Sequence, residues 1–87
     1  MPESDVPTIH VIARAPFDVY FEGQAQAVSA RNRIGDFDIL PGHADFFSML
    51  SPGDVTIQPD EGDTISFPVN SGIVTVQDNK VLIFVNV

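Results

Sequence analysis

Apolar and polar residues alternate along this chain with a period of two, and proline, glycine and asparagine break the alternation repeatedly. In an extended backbone successive side chains point to opposite sides, so this alternation marks strands with one buried and one outward face. Ile9, Val11 and Ala13 alternate with His10, Ile12 and Arg14; Phe17, Val19 and Phe21 alternate with Asp18, Tyr20 and Glu22. Val55 and Ile57 repeat the pattern against Thr56 and Gln58, as do Ile65, Phe67 and Val69 against Thr64, Ser66 and Pro68. No stretch carries a helical apolar spacing over a useful length; the nearest, residues 44–50, is too short and too aromatic. About eight to ten short strands predict an all-β fold, an antiparallel two-sheet β-sandwich.

The breaks are turn-formers. Leu40-Pro41-Gly42-His43 and Ser51-Pro52-Gly53-Asp54 each join a proline that presets φ to a glycine that tolerates positive φ. Residues 59–63 read as an acidic turn, Asn70-Ser71-Gly72 as a turn, and Gln77-Asp78-Asn79-Lys80 as a hairpin connection. Pro68 inside its run marks an edge or a bulge. Residues 81–87 are almost continuously apolar, the pattern of a strand buried on both faces or covered by a partner on one. The expected core is Ile9, Val11, Phe17, Val19, Phe21, Val28, Ile39, Leu50, Val55, Ile57, Ile65, Phe67, Ile73, Val76, Val81, Ile83 and Val85. The Phe46-Phe47 pair reads as core, with room for one exposed ring.

Size and charge narrow the functions. Eighty-seven residues predict one domain, over residues 8–87, behind a flexible acidic leader at residues 1–7. With no cysteine, neither a disulfide nor a thiolate metal site is available. Four Lys and Arg against twelve Asp and Glu give a net charge of -8, which argues against nucleic acid and against anionic lipid. No apolar run is long enough to span a bilayer, and the start of the chain resembles neither a signal nor a transit peptide. A cytosol-like compartment is expected, with any membrane association peripheral and through a partner.

Candidate chemistry is sparse. His10 and His43 are separated in sequence and have no cysteine partner, so no metal-ligand spacing is recognisable. Neither a nucleophile elbow nor a phosphate-binding glycine loop occurs. Asp36 and Asp38 share one side of a strand; two such carboxylates more commonly form a solvated face than an acid–base pair. No cofactor and no catalytic residue is expected.

Several segments, in order, resemble the epsilon-subunit family of F-type ATP synthases. They are Ala15-Pro16-Phe17 with Phe21-Glu22-Gly23-Gln24-Ala25, residues 34–44 ending in Pro41-Gly42-His43-Ala44, Leu50-Ser51-Pro52-Gly53, and Val69-Asn70-Ser71-Gly72-Ile73-Val74-Thr75-Val76. The resemblance implies a ten-stranded sandwich at the foot of the central stalk. There it would pack on the gamma subunit and the polar loops of the c-ring, coupling rotation driven by protons or sodium ions to ATP synthesis at other subunits. It implies a peripheral position at the cytoplasmic face of a bacterial membrane.

By the same resemblance, Asp36 matches an acidic position facing the c-ring, and Pro41, Gly42 and His43 match a loop near gamma and the ring. Two departures stand out: Asp45 where the family often has proline, and Arg31 and Arg33 in a loop that is acidic and glycine-rich in the family. Those arginines are candidates for carboxylates on gamma or the ring. Family members commonly continue into a helical hairpin that inhibits hydrolysis; an 87-residue form is expected neither to inhibit nor to bind ATP in that way. A diverged β-sandwich adaptor for another protein is the alternative.

Overall fold

The computed structural model describes residues 7–86. The expected leader lies, apart from Pro7, outside the described residues. Eight strands follow in order: β1 (Ile9–Arg14), β2 (Val19–Arg31), β3 (Asp36–Ile39), β4 (Phe46–Leu50), β5 (Gly53–Pro59), β6 (Ile65–Val69), β7 (Ser71–Gln77) and β8 (Lys80–Asn86). They pair in the order β4-β7-β8-β1-β2-β5-β6, with β3 also on β2. The result is an all-β, sandwich-like fold of mixed sheet, built around the long β2. The first part of β2 pairs with β1, and the later part with β3 and β5.

Two bulges let a single strand serve both walls. Arg14 pairs with Val19 and Ala13 with Phe21, so Tyr20 is the extra residue. Ala25 pairs with Pro59 and Ala27 with Gln58, so Gln26 is the second. Each bulge bends the strand and reverses which side its neighbours face. Buried Ala25 is therefore followed by buried Val28, three residues on.

All but one of the pairings are antiparallel; β1 and β8 run parallel. These strands come from opposite ends of the chain, so no short turn forces them antiparallel. The expected antiparallel all-β sandwich holds in the other pairings, and this one pair makes the sheet mixed.

The core is aliphatic. Ile9, Val11, Val28, Ile39, Val55, Ile57, Val74, Val81, Ile83 and Val85 are almost wholly buried, and no polar or charged residue among those described is buried with them. Apolar burial at about 25 cal/mol per Å² is the main stabilising term for such a core. Phe21 and Ile65 are partly buried and pack against it, as do Tyr20, Phe37 and Phe46.

Three expected core residues lie outside. Phe17 is 95% exposed because residues 15–18 form a tight turn, with the Ala15 amide donating to the Asp18 carbonyl at 2.8 Å. Val19 is exposed because the bulge at Tyr20 sets it opposite Arg14; Tyr20 instead stacks on Phe67 with ring centroids 4.6 Å apart. Ile73 pairs with Met49 and Phe84 on the outer side, while its neighbours Val74 and Val76 point inward. Ile73 and Val76 are three apart and fall on opposite faces of one strand.

Gly72 also differs from its expected role. It is not a turn residue but the second residue of β7, opposite Val85. A Cβ there would stand 2.6 Å from the Phe84 carbonyl oxygen and 3.1 Å from the Val85 Cα, so only glycine permits the approach of β8. The hairpin between β7 and β8 does match expectation, with Asp78 and Asn79 both at positive φ (52° and 61°) as a type I′ turn requires.

Candidate partner-binding surface

Strict pairing across β4, β7, β8 and β1 lines up their outward side chains in rows. One row is Phe47, Thr75, Leu82 and Ile12; the next is Met49, Ile73, Phe84 and Arg14; a third is Gln77, Lys80 and His10. The centre of this face is apolar and open. Phe47 is 62% and Met49 67% exposed, and Ile73, Leu82 and Phe84 are exposed beside them. Isolated exposed apolar residues are ordinary; a contiguous group rimmed by polar ones marks an interaction surface.

The rim carries both signs of charge, with Glu22 opposite Ile12 and Asp78 at the end of the face. Arg14 and Lys80 lie within the outward rows, and His10 pairs with Lys80 across the parallel ladder. Arg14 is turned toward the β1–β2 turn, donating from Nε to the Ala15 carbonyl and from Nη2 to the Pro16 carbonyl, both at 3.3 Å. A shallow depression among His10, Ile12, Thr75, Asp78, Lys80 and Leu82 continues the same face.

The loop between β2 and β3 borders the face at β4. Asn32 shapes it: its side-chain oxygen accepts from the Ile34 amide at 2.9 Å and the Gly35 amide at 3.2 Å. Asn32 Nδ2 also donates to Ser48 Oγ of β4 at 3.1 Å. This fixes a tip on which Ile34 is 97% exposed next to Arg33. Between the tip and β4 lies an open concavity of about 470 Å³, lined by Asn32, Arg33, Ile34, Phe47, Ser48 and Met49.

The residues singled out from sequence fall in two groups at opposite ends of β3. Arg31 ends β2 and Asp36 begins β3; they are cross-strand partners with Nε and Oδ1 4.0 Å apart. Their side chains are 57% and 85% exposed, so solvent screens the pair and it contributes little to stability. Arg33 is exposed on the tip between them. Pro41, Gly42 and His43 lie in the connection from β3 to β4. The Gly42 amide donates to Asn79 Oδ1 at 2.8 Å, which ties this connection to the β7–β8 turn. His43 Nδ1 lies 2.7 Å from the Ala44 carbonyl and its ring meets Phe46 edge-on. The loop's own contacts occupy one side of His43.

The apolar face itself was missed residue by residue. One signal for it was present: the unbroken apolar run of β8, which alternation alone does not explain. Val81, Ile83 and Val85 are buried, whereas Leu82 and Phe84 are not.

Comparison with known proteins places the chain. The profile of the family described as "ATP synthase, Delta/Epsilon chain, beta-sandwich domain" matches residues 8–87. The ATP synthase epsilon chain of Streptomyces coelicolor is 33% identical over 79 residues, covering 91% of this chain and 64% of the relative. That of Alkalilimnicola ehrlichii is 36% identical over 76 residues, covering 87% and 54%. The chain thus spans somewhat more than half the length of these relatives. Among solved structures, a chain of the Euglena gracilis mitochondrial ATP synthase superposes with a TM-score of 0.82 at 20% identity, covering 97% of this chain and 54% of that one. A chain in the central stalk and c-ring of the Tetrahymena thermophila mitochondrial enzyme gives 0.77 at 23%, covering 87% and 61%. The two structural likenesses speak for the fold, and the profile over residues 8–87 speaks for descent: this chain belongs to the ATP synthase delta/epsilon-chain family, in which it corresponds to the β-sandwich domain.

Proposed function

We propose that this chain is a non-catalytic part of the central stalk of an F-type ATP synthase, fastening the gamma subunit to the c-ring so that rotation reaches the catalytic sites of other subunits. The single observation that carries the reading is the apolar face of β4, β7, β8 and β1 on a member of this family. A subunit that transmits torque needs a broad contact on a stiff element, and a sheet whose other side is the protein core is stiff. The gamma subunit covers the rows of Phe47, Met49, Ile73, Leu82 and Phe84. Burial of aromatic and aliphatic anchors supplies most of the affinity, and Arg14 and Lys80 at the rim meet carboxylates of gamma.

The c-ring contact belongs to the tip at residues 31–36. Arg31, Arg33 and Asp36 supply charge there, and Ile34 supplies an apolar point. Pro41 and Gly42 set the backbone of the β3–β4 connection, and His43 offers its free ring nitrogen at the edge of the gamma contact. The complex holds the chain peripherally at the cytoplasmic face of a bacterial membrane; the bacterial sources of the sequence relatives support that placement.

The test is binding to the gamma subunit of the same organism, by co-purification and then calorimetry. One-to-one binding that is lost in Leu82→Asp and Phe84→Asp supports the reading. Absence of binding between two folded proteins would favour an adaptor for some other protein.

A further inference from the structure

The chain's sulfur is confined to two methionines, Met1 and Met49, and of these Met49 lies among the described residues. With no cysteine in the sequence, a two-electron oxidant meets thioethers and no thiol. Met49 stands on the outer side of β4, next to the buried Leu50. It is 67% exposed, more than Phe47 or than Ile73, Leu82 and Phe84 on the same face. Its cross-strand partner is Ile73, whose own partner is Phe84. Met49 also lines the open concavity beside Arg33 and Ile34, and it has no part in the buried cluster. A small hydroperoxide therefore reaches the sulfur without any opening of the fold, and the side chain it alters holds no core residue in place.

We infer that Met49 is an oxidation site: a hydroperoxide converts its thioether to the sulfoxide in the folded chain, and the apolar face loses affinity for its partner while the fold stands. The loss of affinity rests on the central-stalk reading above and adds a means of regulation to it. A sulfur lone pair attacks one peroxide oxygen; the S–O bond forms as the O–O bond breaks, and the departing oxygen takes up a proton to leave as water or an alcohol. Sulfur gives up two electrons and the peroxide accepts them. The product is polar and chiral where the thioether was apolar and flexible. In the free chain the new oxygen points into water and changes little. Under a partner it loses that water among apolar neighbours, where an unpartnered acceptor is costly. Its own row supplies no donor close by: Ile73 and Phe84 come next, and Arg14 at the far end donates to the Ala15 and Pro16 carbonyls.

The experiment treats the full chain with hydrogen peroxide, locates the added oxygen by peptide mass mapping, and measures thermal unfolding and gamma binding before and after. Met49 is expected to oxidise at a rate within about threefold of a short unfolded methionine peptide, as its exposure dictates. The thermal midpoint is expected to hold, and gamma binding to weaken at least about tenfold, a polar group having been placed in an apolar contact. Reduction by the two stereospecific methionine sulfoxide reductases is expected to restore the binding. Met49→Leu, whatever its starting affinity, is expected to lose none of it on the same treatment. Protection of Met49 until the chain unfolds overturns the site. So does an oxidised chain that binds gamma as before, or a loss that persists in Met49→Leu; in each of these cases the central-stalk reading stands. Should Met49→Leu bind too weakly to compare, recovery on reduction decides. If the untreated chain does not bind gamma, the central-stalk reading falls and this inference with it.

Discussion

The two outer faces of the sandwich are made from the same alternating strands but finished differently. On the β3, β2, β5 and β6 side, outward polar groups bind one another: Ser29 Oγ donates to Asp38 Oδ1 at 2.6 Å, Thr56 and Ser66 hydroxyls lie 3.3 Å apart, and Gln58 Nε2 donates to Gln26 Oε1 at 3.3 Å. Asp36, Asp38 and Asp54 stand outward there. On the β4, β7, β8 and β1 side, the corresponding positions hold Phe47, Met49, Ile73, Leu82 and Phe84, with charged groups only at the rim. Water satisfies the first face and not the second. The difference separates what the isolated fold needs from what an assembly needs, because both inner faces are apolar and the outer ones diverge.

Substitutions test that separation, and the largest effect belongs to the shared core. Phe67 lies under the polar sheet, 8% exposed and stacked on Tyr20. Phe67→Ala is expected to cost about 3–5 kcal/mol in urea unfolding, enough to unfold much of so small a domain. An unchanged midpoint would mean the polar sheet is not anchored from beneath.

Gly72→Ala acts from the other sheet. Its new methyl would stand 2.6 Å from the Phe84 carbonyl oxygen, forcing β7 and β8 apart. A loss of about 1–3 kcal/mol is expected, as for overpacking. Thermal unfolding checks it, and a neutral result would show that the two strands shift freely.

Phe84→Ala sharpens the contrast directly. Stability of the free chain is expected to change by less than about 1 kcal/mol, since the ring is partly in water, while binding to gamma weakens by about 2 kcal/mol, as at an interface anchor. Equal losses in both measurements would make Phe84 a core residue and remove the distinction between the faces.

The rim is expected to matter less. Arg14→Gln with Lys80→Gln should reduce gamma affinity by about 0.5–1 kcal/mol, mostly through the association rate and less so as salt is raised. Salt-independent loss would point to packing by the aliphatic stems instead of charge. The smallest effect is predicted on the opposite face: Ser29→Ala with Thr56→Ala should change stability by about 0.5 kcal/mol or less and leave gamma binding untouched. A binding defect there would place gamma on the wrong side in our account.

Much of this is legible in the sequence itself. Alternation located β1, β5 and β6 because each keeps one phase from end to end. Pro68 announced an edge or a bulge, and among the described residues β6 is an edge strand. Asp78 and Asn79 announced a hairpin because few residue pairs accept positive φ together. The order of short motifs around Gly23, Pro41-Gly42-His43 and Gly72 pointed to the family.

Illegible positions were those where a neighbouring strand decides. Nothing in the local sequence marks Tyr20 and Gln26 as bulges; their partners Ala13–Arg14 and Pro59–Gln58 create them, and with them the exposure of Val19. Gly72 looks like any turn glycine until β8 comes to lie against it. The sequence by itself determined that this chain builds strands with an aliphatic core, because side-chain period and turn chemistry are local properties. Only the tertiary structure decided which apolar residues stay outside: register across four strands gathers Phe47, Met49, Ile73, Leu82 and Phe84 onto one face, and register depends on pairs of residues far apart in the chain.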